Sequence, residues 1–132
     1  MKVDHIGIAV RSLDVALEVY AAIGLHPTVT EAVPSEGVRV AFLPTGESHL
    51  ELLEPLAADG VIAKFLEKRG EGLHHLALAV DDIAAAMARA RSAGLTVIDE
   101  VPRPGALGRR VAFVHPKSTG GVLLEFVQNP MP

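Results

Sequence analysis

The chain has 132 residues, 49% hydrophobic and 21% charged, with a formal net charge of -4 and no cysteine. The length fits one ordinary domain, and the composition fits a folded chain rather than a disordered one. The acidic balance argues against a nucleic-acid surface, which needs concentrated Lys and Arg. Without cysteine there is no disulfide framework and no thiolate nucleophile, so any metal must be held by nitrogen and oxygen.

Aromatic residues make up only 4% of the chain, so Val, Leu, Ile and Ala must supply most of the core. No stretch of about 18 apolar residues occurs, and Met1-Lys2-Val3-Asp4-His5 does not open a signal peptide; the expectation is no membrane span and a cytoplasmic location. So small a unit buries a limited share of its surface, which makes a homodimer or a bound ion a reasonable source of extra stability.

In chain order, the first apolar run is Asp4-His5-Ile6-Gly7-Ile8-Ala9-Val10. Leu13, Ala16, Leu17, Tyr20 and Ile23 then follow helical spacing behind a Ser12 N-cap, and Gly24 stops the helix. Extended segments follow at about 25–33, 38–44 and 48–54. A short helix near 60–69, with Val61, Ile62, Phe65 and Leu66 on one side, joins this to a second copy. There His74-His75-Leu76-Ala77-Leu78-Ala79-Val80 echoes the opening strand at an offset of 70, as Gly94-Leu95 echoes Gly24-Leu25. Ile83, Ala86, Met87, Ala90 and Ala93 form the second helix behind Asp81 or Asp82. Segments at about 95–101, 110–115 and 121–128 complete the copy. Val111-Ala112-Phe113-Val114 repeats Val40-Ala41-Phe42-Leu43 at 71, and Leu124-Glu125-Phe126 repeats Leu50-Glu51-Leu52 at 74. Each half therefore reads βαβββ, with module one at about 1–56 and module two at about 72–128 of a single domain.

Side chains alternate along a strand, so parity sorts the polar residues by face. His5 shares parity with Val3, Gly7 and Ala9, whereas Ile6, Ile8 and Val10 form the face that receives the helix. His75 shares parity with Leu73, Ala77 and Ala79. Glu51 falls opposite Leu50 and Leu52, and Glu125 opposite Leu124 and Phe126. Each half thus puts one imidazole on its first strand and one carboxylate on its last, all away from the helices. A lone strand His or Glu is more often structural or solvated. Here the repeat sets a charge amid apolar residues twice, where an unpaired carboxylate would be costly and a bound cation would remove the cost. A pseudo-twofold relating the halves would converge the four groups. The expected class is α+β: two paired βαβββ modules forming a cupped mixed sheet around a metal site.

Parity sends His74 to the helix side, in a structural role. His26 near a helix end and His49 at a strand start are expected to face solvent. His115-Pro116-Lys117-Ser118, closed by Gly120-Gly121, reads as a turn or as the border of a ligand mouth. Gly105 and Gly108 make no phosphate-binding fingerprint, because a strand follows them rather than a helix.

The runs Asp4–Val10, Glu51-Leu52-Leu53-Glu54-Pro55-Leu56, Gly70-Glu71-Gly72-Leu73-His74-His75, and His115-Pro116-Lys117 with Gly121-Val122-Leu123-Leu124-Glu125 span nearly the whole chain. They resemble the vicinal oxygen chelate superfamily and, within it, the methylmalonyl-CoA epimerase family. The resemblance implies one divalent metal, with cobalt or manganese favoured over nickel, zinc or iron. It also implies a homodimer and an acyl-CoA substrate epimerised at C2 through an enolate. His5, His75 and Glu125 match the family's two histidines and last-strand carboxylate, and Glu51 stands where some members have glutamine. Some members carry a separate catalytic glutamate where this chain has Val40, which leaves Glu51 and Glu125 as the expected proton carriers. Lys64, Lys68, Arg69 and Lys117 are candidates for the coenzyme A phosphates.

The rival readings are a glyoxalase-type isomerase acting on a glutathione hemithioacetal, an extradiol dioxygenase with two His and one carboxylate on iron, and an antibiotic-sequestering protein that needs a cleft but no metal. Four intact ligand positions argue against the last.

Overall fold

The computed structural model describes residues 1–131. Its element order is the expected one. The first module contains β1 (Lys2–Ala9), α1 (Leu13–Ala22), β2 (Val29–Val33), β3 (Val38–Pro44) and β4 (His49–Pro55). Helix α2 (Val61–Arg69) follows. The second module contains β5 (Gly72–Ala79), α3 (Ile83–Ser92), β6 (Arg103–Pro104), β7 (Arg110–Val114) and β8 (Leu124–Gln128). The α+β class and the doubled βαβββ order both hold. By contacts the chain divides into two compact units, His5–His74 and a second made of Met1–Asp4 with the residues from His75 onward.

In the first unit the strand order is β2-β3-β4-β1, antiparallel except for the parallel β1–β4 pair. Val10, Leu13, Ala41, Leu43 and Leu52 are buried together, with Ile8, Leu50, Ala16, Leu17 and Tyr20 packed around them. Of these, Ile8, Val10, Leu50 and Leu52 are strand positions that parity assigned to the helix side. In the second unit the order is β5-β8-β7-β6. Ile83, Met87, Ala90, Ala112, Val114 and Phe126 form its core, with Val80 and Leu124 packed against it; Phe126, Val80 and Leu124 are on the face that parity assigned to the helix.

Both helices begin in the same way. Ser12 caps α1 by accepting from Val15 N–H, and Asp82, of the two aspartates considered, caps α3 by accepting from Ala85 N–H. A second acceptor comes from the last strand of each module. Glu54 Oε2 takes Leu13 N–H at 2.7 Å, and Gln128 Oε1 takes Ile83 N–H at 2.8 Å. Each acceptor lies three residues beyond the module's strand carboxylate, Glu51 or Glu125, so helix start and carboxylate strand are locked in register. Gly24 and Gly94, at φ +95 and +85, adopt the left-handed backbone that ends each helix.

Three segments differ from the sequence expectation. Residues 25–28 are not strand: Leu25 N–H still closes the helix end on Tyr20 O, and Pro27 has no N–H to give to a ladder. Residues 95–101 form only a bridge, Val97 with Val114, and the short strand lies later, at β6. The cause is local. The Asp99 carboxylate accepts Phe113 N–H at 2.8 Å in place of a backbone carbonyl, and Pro102 and Pro104 cannot donate. Residues 121–123 precede β8 because Gly120 and Gly121 both turn with positive φ. On α2, Ile62 and Leu66 are buried, but Val61 is exposed. No helix among the described residues is long and apolar enough to cross a membrane.

In the second unit the loop before β7 is fastened by a buried ion pair. Arg109 bonds Asp4 Oδ2 at 3.0 Å and Ala106 O at 2.9 Å, while Asn129 reaches Asp4 Oδ1 at 3.4 Å. Gly105 is needed in this loop because a Cβ there would meet Val111 Cγ1 at 2.9 Å. Removing one partner strands the other charge, so Arg109→Ala is expected to lower unfolding stability by about 3–5 kcal/mol in urea titration. Gln128→Ala, which removes only a neutral acceptor at the start of α3, is expected to cost about 1 kcal/mol by the same measurement.

Candidate metal centre

β1 and β4 run parallel with His5 opposite His49 and Gly7 opposite Glu51, so all four share the face turned away from α1. Phe42 stands opposite Glu51 on β3. Gly7 leaves room beside the carboxylate, and Glu51 Oε2 approaches His5 Nδ1 at 3.1 Å; the two side chains are only 1% and 5% exposed. His49 Nε2 meets the same oxygen at 2.8 Å. Its ring stacks on His5, with centroids 5.1 Å apart, and lies against Phe42 at 5.7 Å. The ligand atoms of His5, His49 and Glu51 all lie within 4.8 Å of one another. The expectation that His49 faces solvent is therefore corrected: it is half-buried and bonded to a carboxylate. Its parity with Glu51 two residues on was the available signal, outweighed by its place at the strand start.

The second unit builds the corresponding pair. Ala77 lies opposite Glu125, and Phe113 opposite Glu125 on the other side. His75 Nε2 is 2.9 Å from Glu125 Oε1, and both side chains are 6% exposed. Ala77, Val111 and Val127, with Phe113 against them, form a small apolar cluster on this face. The rings of Phe113 and His75 meet near-perpendicular, with centroids 5.9 Å apart. Arg103, which sequence reading did not single out, lies over the Phe113 ring at 4.9 Å, and it forms an ion pair with Asp99, Nε to Oδ1 2.9 Å. The register of β6 puts Arg103 opposite Val111, on the face of His75 and Glu125.

The remaining candidates separate clearly. His74 packs edge-on against Phe65 of α2 at 4.9 Å, the structural role expected of it. His115 is exposed, and its Nδ1 accepts Lys117 N–H in the turn at 116–118, as the plain-turn reading holds. Lys64 and Lys68 are exposed one turn apart on α2, Arg69 is exposed at its end, and Lys117 is exposed in the turn. Val40 is buried on β3, and its register partner on β2 is the half-buried Glu31.

Chemically, each unit holds a buried carboxylate against a buried imidazole. Such a carboxylate can accept a cation's charge or a proton, and each is desolvated enough for either to matter.

Residues 4–113 match the family model of the glyoxalase/bleomycin resistance protein/dioxygenase superfamily. The chain is 41% identical to human mitochondrial methylmalonyl-CoA epimerase over 96% of its own length and 73% of that protein. A solved hypothetical protein from Bacillus halodurans is 46% identical, with a TM-score of 0.96 covering 99% of this chain and 96% of that one. A variant of Streptomyces coelicolor methylmalonyl-CoA epimerase in complex with 2-nitronate-propionyl-CoA is 41% identical, with a TM-score of 0.94 covering 98% and 94%. The chain belongs to the glyoxalase/bleomycin resistance protein/dioxygenase superfamily and, within it, to the methylmalonyl-CoA epimerase family.

Proposed function

We propose that this chain interconverts the 2R and 2S forms of methylmalonyl-CoA, with His5, Glu51, His75 and Glu125 holding one divalent cation and the two modules acting as a single domain. The observation that carries the reading is the pairing of a buried imidazole with a buried carboxylate once in each module. The donor set of nitrogen and oxygen without thiolate fits a cation such as cobalt or manganese, with nickel, zinc or iron as alternatives. Burial of both carboxylates gives such an ion a stabilising role. When bound, it supplies Lewis-acid stabilisation of negative charge developing on a thioester oxygen.

The chain's own residues account for the proton. Epimerisation removes the C2 proton, leaves an enolate and returns a proton to the opposite face. In this proposal one of Glu51 and Glu125 takes the proton as carboxylate while the other, protonated, delivers one. The two exchange states with each turnover, and no net proton is consumed. Val40 supplies no carboxylate of its own, which is why the role falls to these two. Lys64, Lys68 and Lys117 are proposed to meet the phosphates of coenzyme A as mobile surface cations. A homodimer and a cytoplasmic location complete the reading.

Proton NMR of methylmalonyl-CoA in deuterated water tests this. Metal-loaded protein is expected to wash out the C2 proton far above background, and His75→Ala to slow the exchange on the order of 10²–10³-fold. Wild-type exchange no faster than buffer would sink the epimerase reading. In thermal melts after chelation, restoring cobalt or manganese at about a hundred times its Kd is expected to add about 2.7 kcal/mol of stability. The same addition should leave Glu125→Ala unmoved; an equal shift in that variant would count against Glu125 as a ligand.

A further inference from the structure

The internal repeat is broken at one position beside the carboxylates. Leu50-Glu51 corresponds to Leu124-Glu125, so the residue that corresponds to His49 is Leu123. One module thus sets an imidazole two residues before its carboxylate, and the other sets an aliphatic side chain that cannot hydrogen-bond.

His49 is held for a purpose that a solvated strand-end histidine does not need. Its ring is confined between His5 and Phe42, at 5.1 and 5.7 Å between centroids. Its Nε2 lies 2.8 Å from Glu51 Oε2, closer than the 3.1 Å from that oxygen to His5 Nδ1. The side chain of His49 is 22% exposed, against 1% for His5, so it sits at the outer edge of the cluster. An Nε2–H donated from that edge occupies a lone pair on Oε2 and fixes the torsion of the carboxylate. Such a partner orients the carboxylate that would hold a cation.

Resting on the metal reading proposed above, we infer that His49 is a positioning residue: its hydrogen bond to Glu51 Oε2 holds that carboxylate in one orientation and makes it chemically unlike Glu125. The carboxylates of the two modules are thereby differentiated by one residue outside the repeat. His49 touches neither the cation nor the substrate in this account.

Calorimetric titration with manganese, paired with pulsed EPR that counts histidine nitrogens on the bound ion, tests the inference on wild type, His49→Ala and His49→Gln. His49→Ala is expected to bind manganese 10–100-fold more weakly. His49→Gln, whose amide can still donate to Oε2, should recover most of that loss. The nitrogen count should be two in all three proteins. His49→Ala binding as tightly as wild type would overturn the inference while leaving the metal reading intact. A count of three in wild type falling to two in His49→Gln would overturn it in favour of direct ligation. Wild type that binds no manganese, cobalt or zinc would overturn both.

Discussion

Two carboxylates buried in apolar strands constrain everything else in this molecule. Glu51 is flanked by Leu50 and Leu52, and Glu125 by Leu124 and Phe126. Withdrawing such a group from water costs several kcal/mol unless a partner compensates. Each therefore has an imidazole within 3.1 Å, delivered by the neighbouring parallel strand of its own module. The strand order within each module follows from that need: the last strand must lie beside the first, so β4 pairs with β1 and β8 with β5.

The residues that fix this arrangement lie one step away from the buried imidazoles and carboxylates. Glu54 and Gln128 tie the start of each helix to the strand that bears the carboxylate. A slip of either strand would break that bond and turn the carboxylate toward the helix. Asp4, the neighbour of His5, is pinned by Arg109 and Asn129. Side chains that carry no candidate role of their own thus set the precision with which the imidazole–carboxylate pairs are held.

Much of this was legible in the sequence because two simple periodicities carry it. Parity alone placed His5, His75, Glu51 and Glu125 away from the helices, and the repeat made four weak signals into one. Parity could equally have found His49, which shares a face with Glu51; its place at the strand start obscured this. Arg103 was hidden for a different reason. It sits on a two-residue strand that follows the misplaced segment at 95–101, where Asp99 ends the ladder by capping a backbone donor with its side chain. Periodicity does not report such a substitution of side chain for backbone. Register, too, lies beyond it: that Glu31 stands opposite Val40 follows only from the observed β2–β3 pairing.

In the proposed centre the two imidazole–carboxylate pairs serve one ion rather than two separate purposes. Metal analysis of protein purified without chelators tests this most directly. One divalent ion per chain is expected, lost alike in Glu51→Ala and Glu125→Ala. Two ions per chain, with each variant keeping one, would contradict it, as would loss in one variant alone.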